Sequence, residues 1–336
     1  MSPPLRAGRR RRTFALISLV AAASCSHSRP ADVLPPAPEP ARAPVPVAIP
    51  TGRVLALGDT PEGVAVDPTT GLVVVALRRP DRLAILDGRA ARLLRVVAVP
   101  AGARHLTIAG AGSPVLVPGE DTDLLLAVAL PAGNIVQSVP VGRQPHDAGT
   151  AENRTFVADE LGGSVSVVAG GQVIHRFTGP VQPGGVAAAG DRVAVVDVRG
   201  AILFVYDAGS LRELGRLPAG NGPTHAVALD DTRVVVADTR GGALLVYSMR
   251  PRPRQLARLP LPGAPYGLAF DKTRNQLWVT LTARNELVRY DGSSMRRIGP
   301  ALPTVRQPNS VAVDRQTGRV FVAGAVPEGR LELIDP

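Results

Sequence analysis

One phrase recurs along this chain: a proline, two variable residues, a short apolar strand, then a turn into a second strand. It is plainest at Pro223, which opens Pro223-Thr224-His225-Ala226-Val227-Ala228-Leu229-Asp230 and leads into Val234-Val235-Val236-Ala237-Asp238. A glycine turn at Gly241-Gly242 then feeds a third strand, Ala243-Leu244-Leu245-Val246-Tyr247. The phrase returns at Pro61, Ala103 (where alanine replaces the proline), Pro145, Pro183, Pro223, Pro265 and Pro308, in steps of 42, 42, 38, 40, 42 and 43 residues. A unit this short cannot bury its own apolar faces. It needs neighbours of its own kind.

The first unit shows what each one contains. Strand a is read as Val64 to Val66, b as Leu72 to Ala76, c as Leu83 to Leu86 and d as Leu94 to Val99, with Asp67-Pro68, Pro80-Asp81 and Gly88 as turns. Strand a is built from small residues, as in Gly185-Val186-Ala187-Ala188-Ala189, which suits a crowded inner strand. The chain ends just after the third strand of the seventh unit, while Arg53 to Leu57 has strand-d character and no unit of its own. Pairing the two closes a ring and removes the open edges of a linear array. The expectation is an all-β, seven-bladed β-propeller over residues 51–336, with four antiparallel strands per blade. Apolar residues are 45% but aromatics only 3%, so its core must be Val, Ala and Leu.

The formal charge of +10 does not imply a nucleic-acid partner. Arg6, Arg9, Arg10, Arg11 and Arg12 fall in the N-terminal leader, and elsewhere arginines alternate with acids without forming a stripe. Residues 1–24 read as a secretory signal peptide: a charged n-region, an apolar run from Thr13 to Ala23 too short to span a bilayer, then small residues. Arg11-Arg12-Thr13-Phe14 also resembles a twin-arginine export motif, and an ordinary arginine-rich n-region explains it equally. Ala21-Ala22-Ala23-Ser24 before the lone Cys25 resembles a bacterial lipobox, which implies lipidation at Cys25 and a membrane anchor on the extracytoplasmic side. Ser26 to Pro50 holds eight prolines and few large apolar residues, so residues 25–50 are expected to be a lipidated cysteine and a disordered spacer.

Thr155-Phe156-Val157-Ala158-Asp159 followed by Ser164-Val165-Ser166-Val167-Val168, with Leu277-Trp278-Val279-Thr280 and Val320-Phe321-Val322-Ala323, resembles the YVTN/YncE-type propellers. The endings Ile85-Leu86-Asp87 and Ile334-Asp335 are similar too, and the likeness covers residues 52 to 336. It implies the fold and leaves function open, because the motif residues are structural. Blade two departs most, at Ala103 and at Val115 to Asp121.

In such a ring the d-to-a and b-to-c loops share the face around the channel mouth. The residues after each proline are therefore the candidate ligand-binding set: Glu62, Arg104, His105, His146, Asp147, Thr224, His225, Tyr266, Asn309 and Ser310, joined by Asp159, Asp197 and Asp238 from the ends of second strands. Three histidines and four aspartates suit a divalent metal or acid/base site, but they come from separate blades without short-range ligand spacing. The alternative is polar lining for the histidines and turn capping for the aspartates. His27 and His175 have no place in either reading. No nucleophile elbow, P-loop, dinucleotide fingerprint or haem motif is present.

Two functions follow. The first is an exported, lipid-anchored, monomeric binding or scaffold module of the cell envelope, with a small-molecule ligand or an envelope protein at the channel mouth. The second is a propeller hydrolase or lyase that opens a lactone or ester-like molecule, with His146 or His225 as base and a divalent metal polarising the carbonyl.

Overall fold

Valine-rich runs flanked by turn residues become strands throughout, 28 of them among the described residues. The computed structural model describes residues 1–3 and 34–336, so the signal-peptide and lipobox readings, Cys25 and His27 lie outside the described residues. The strands pair into seven antiparallel sheets of four, an all-β seven-bladed propeller. In the first blade the strands are Thr60–Val66, Leu72–Arg78, Arg82–Asp87 and Arg92–Ala98. Each outruns its apolar core because flanking polar residues continue the ladder. Blade two keeps its second strand, Val115–Gly119, through Pro118, but strand a shrinks to Thr107–Ile108.

The ring closes as the pattern requires. Arg53–Ala56 pairs antiparallel with Arg330–Ile334, Arg53 opposite Leu333 and Ala56 opposite Arg330. The buried Glu332 carboxylate fastens this joint by accepting the Gly52 N–H at 2.7 Å and the Val305 N–H at 2.9 Å. Apolar clusters lie between neighbouring blades. Val196, Leu203 and Val205 of blade four, for example, meet Val234, Val236 and Leu245 of blade five. Each such fully buried side chain is worth about 1.5–3 kcal/mol, and the closing strand lets the last and first blades share the same kind of layer.

Directly after the proline, strand a is irregular in six blades. The register against strand b shifts between Pro61 and Val64, Pro145 and Asp147, Pro183 and Val186, Pro223 and Ala226, Pro265 and Leu268, and Pro308 and Ser310. A bulge interrupts the alternation of faces and re-aims side chains. Here Asp147, His225, Gly267 and Ser310, each two places after its proline, line the channel cavity.

The aspartates ending the second strands stand apart from that set. Asp197 accepts the N–H groups of Val181 at 2.8 Å, Gln182 at 3.0 Å and Gly200 at 2.9 Å. Asp238 does the same for Asn221, Gly222 and Gly241, and Asp159 takes the Gly142 N–H and the hydroxyls of Ser164 and Ser166. These carboxylates tie the d-to-a loop to the b-to-c turn. Of the two readings for Asp159, Asp197 and Asp238, these hydrogen bonds fit turn capping. Asp197→Ala strands three backbone donors and is expected to lower the stability by about 3 kcal/mol, read as a shifted urea midpoint.

Candidate functional site

Neighbouring inner strands approach so closely that some positions admit no side chain. A Cβ on Gly63 would lie 2.8 Å from the Arg104 carbonyl oxygen, and one on Gly185 would lie 2.8 Å from that of Thr224. Gly63 and Gly185 sit two places after their prolines, and at the equivalent place of the next blade stand His105 and His225. Each histidine thus follows, around the ring, a glycine that makes room for its backbone.

The structure brings His105, His146 and His225 together from blades two, three and five. One ring nitrogen of each lies within 4.8 Å of one from each of the others. His225 Nε2 is 3.0 Å from His105 Nε2, and His225 Nδ1 is 3.1 Å from the Tyr266 carbonyl oxygen. A carbonyl only accepts, so His225 carries its proton on Nδ1 and offers a lone pair at Nε2. The His105 Nε2–H donates to that lone pair, which leaves His105 Nδ1 as an acceptor with no partner among the described residues. The Tyr266 ring meets the His225 ring edge-on, with centroids 4.3 Å apart.

His146 is held differently. Its Nδ1 lies 2.9 Å from Glu120 Oε1 and 3.3 Å from Glu160 Oε2. Arg78 donates to Glu120 at 2.9 Å, Arg104 lies 3.5 Å from the same carboxylate, and Gln182 and Gln144 donate to Glu160 at 2.8 and 3.2 Å. Sequence reasoning missed Glu120, Glu160 and Arg78. The available signal was an acidic residue placed directly after the second strand in blades two and three.

Electrostatics split the trio. Burial disfavours the imidazolium at His146, but hydrogen bonds to Glu120 and Glu160 outweigh it and push the ring up to about 10. Burial, reinforced by the charge on His146, drives His225 down to about 3 and holds His105 well below the ordinary histidine range. At neutral pH one imidazolium therefore sits beside two neutral imidazoles. Burial alone would raise Glu160, yet its contacts with His146 bring it down to about 2.

The other expected residues divide. Glu62, raised by burial, accepts from Asn309 at 3.4 Å at the same mouth. Asp147, pushed up to about 6 by burial, accepts the Val186 and Ala148 N–H groups, and so links blades three and four while lining the channel. Thr224 is committed to Thr239, at 2.7 Å between hydroxyls. A cavity of about 160 Å³ lies beneath the imidazoles, lined by His105, Asp147, His225, Asn309 and Ser310.

The mouth is also covered. Residues 35–50, expected as free spacer, have no regular secondary structure, but residues 35–44 are bonded to the propeller, while Val45, Val47 and Ile49 are exposed. Arg199 and Arg240 donate to the carbonyls of Pro35 and Pro36, and Glu39 pairs with Arg104 at 3.2 Å. Further on, Gln307 brackets Ala41 and Ala43, and Asn285 donates to the Pro44 carbonyl at 3.0 Å. Prolines lack N–H groups but keep their carbonyls, so an extended proline-rich strand is a row of acceptors. The arginine and amide donors of the mouth loops satisfy it, and low hydrophobicity did not reveal that.

The sign of the pH dependence follows from these states. His105 and His225, lowered in the fold, contribute stability that is present above about pH 6.5 and is lost as pH falls, for His225 through about 3. His146, raised in the fold, contributes stability that is present below that range and is lost as pH rises through about 10. Urea midpoints across pH should therefore fall on both sides of neutrality, with His225→Gln flattening the acid limb and His146→Gln the alkaline one. Unchanged limbs in both variants would refute these assignments.

No protein-family model matches this chain, and no curated protein matches it in sequence. Solved structures do match in shape. The chain is similar to Kuenenia stuttgartiensis hydrazine synthase, with TM-score 0.73 and 14% identity over 83% of this chain and 96% of that one. It is similar to a streptogramin B lyase, with TM-score 0.71 and 12% identity over 84% and 98% of the two chains. It is also similar to virginiamycin B lyase from Staphylococcus aureus, with TM-score 0.68 and 14% identity over 84% and 98%. At these identities the likeness is one of fold, and the fold shared is the seven-bladed propeller.

Proposed function

We propose that this chain is a ligand-binding propeller whose working site is the histidine trio, holding a divalent metal inside the channel. The observation that carries the reading is the treatment of Nδ1. At His146 it faces Glu120 and Glu160, and at His225 it donates to the Tyr266 carbonyl, so each ring has Nε2 to offer. Holding the far nitrogen with a carboxylate or carbonyl is how proteins orient histidine ligands. Three imidazoles suit zinc, copper, nickel or cobalt better than magnesium or calcium. His105 would join by shifting its proton from Nε2 to Nδ1, and His146 by losing one proton.

The N-terminal features support an exported, lipid-anchored protein of the cell envelope, YVTN/YncE-like and monomeric. In that reading only residues 26–34 remain between the anchor and the docked segment, nine residues that reach at most about 30 Å. A peptide or protein partner would need the mouth uncovered, which favours a small ligand.

The second reading is a lyase or hydrolase, supported by the cavity beside the imidazoles of His105 and His225; two of its structural neighbours are lyases. The metal-free geometry moves the candidate base. His146 is an imidazolium and the His225 lone pair is taken, so the acceptor left for a substrate proton is His105 Nδ1.

Calorimetric titration of the full chain with zinc tests the metal. The expected result is near-stoichiometric binding with release of about one proton, read from the dependence on buffer ionisation enthalpy, and tightening about tenfold per pH unit between 6 and 8. A His146→Ala/His225→Ala double variant should lose it. Wild-type protein that takes up no zinc at micromolar concentrations would overturn the proposal.

A further inference from the structure

The polar cavity under the histidines does not end there. Val64, Leu106, Thr107 and Val311 line both it and a second cavity of about 520 Å³, which continues down the channel toward the a-to-b turns. Pro68, Gly110, Ala111 and Arg315 form its rim, and all four belong to those turns. Its wall is mostly apolar. Val66, Ile108, Val227 and Val313 line it and are only half-buried, with Phe270 beside them. These side chains pack against the layers between blades on one side and leave apolar surface on the chamber on the other. Docked residues 35–44 cross the other end, so the open route to His105 and His225 runs through the apolar chamber.

We propose that the channel is entered from the a-to-b face and holds an amphiphile. Its apolar body fills the lower chamber, and one hydrogen-bond-donating end group, a hydroxyl or an amide N–H, reaches His105 Nδ1. The polar chamber selects the end group by what it has left to give. Asp147 has both carboxylate oxygens taken by backbone N–H groups, and Ser310 accepts from the Val64 N–H at 3.2 Å. Asn309 is engaged by Gln307 and Glu62, and Thr107 donates to the Ala148 carbonyl. Among these side chains the His105 Nδ1 is the acceptor atom that makes no hydrogen bond at all among the described residues. A concave apolar pocket with one such polar point is the ordinary form of a small-molecule site. The inference rests on the ligand-binding reading of the channel and not on the metal.

The test uses the full chain, stripped of metal with a chelator, and two probes: 1-octanol and its methyl ether, which keeps the body but has no donor. Octanol is expected to bind in titration calorimetry, with the ether about tenfold weaker, the worth of one hydrogen bond. His105→Phe should erase the difference between them. Val227→Trp and Val313→Trp, which fill the lower chamber from two blades, should each abolish octanol binding while leaving zinc uptake as in the wild type. Two substitutions on different strands guard against one that fails to fold. Absence of octanol binding to its solubility limit overturns the proposal, as does binding that persists in both tryptophan variants or an ether that binds as well as the alcohol. Zinc titration of the same samples distinguishes failure of one proposal from failure of the other: zinc without octanol sinks the amphiphile alone, and octanol without zinc sinks the metal alone.

Discussion

Seven small blades close a ring only if their inner strands come within backbone contact of one another. Gly63, Gly185 and Gly267 mark where that approach is tightest, since a Cβ at any of them would press on the next blade's strand at under 3 Å. Much else depends on this contact. Strand a must be built of small residues, and the bulk of the core moves outward to the valine and leucine layers between blades. The channel narrows enough for three imidazoles on separate blades to touch. A wider ring would leave His105, His146 and His225 as isolated polar lining.

Placing ionisable groups in so narrow a space carries an electrostatic cost that the site meets in two ways. His105 and His225 stay neutral and satisfy one another, the second anchored by the Tyr266 carbonyl. His146 takes the charged form and is flanked by Glu120 and Glu160, which Arg78, Arg104 and two glutamines hold in turn. One cluster therefore contains a charged and a neutral regime a few ångströms apart. Such division is common where groups are arranged for binding or chemistry. The docked N-terminal segment extends it, because Glu39 brings a further carboxylate to Arg104.

Segment 35–44 changes how the molecule is approached. A free spacer would leave the histidine face open to any partner, whereas a docked one crosses that mouth and leaves the mostly apolar chamber at the opposite end as the other approach. Binding selectivity then lies in the valine-lined chamber and the unbonded His105 Nδ1 behind it.

The repeat, its period, the seven blades and the joining of Arg53–Ala56 to the last of them were legible in the sequence, because strand alternation and turn chemistry act over a few residues and repeat forty residues later. The Asp197-type caps were legible too, as one of two readings, and the structure chose between them through backbone donors that no sequence displays. The channel-mouth address of His105, His146 and His225 could be read from the proline phrase. That they meet could not, since they are 41, 79 and 120 residues apart and their contact depends on ring diameter and on the bulges. Glu120 and Glu160 belong to the same class, as does the docking of residues 35–44, whose acceptors find donors on several different blades. Local hydrogen-bonding and apolar periodicity are written along the chain. Charge pairing across a ring arises only once the ring has closed.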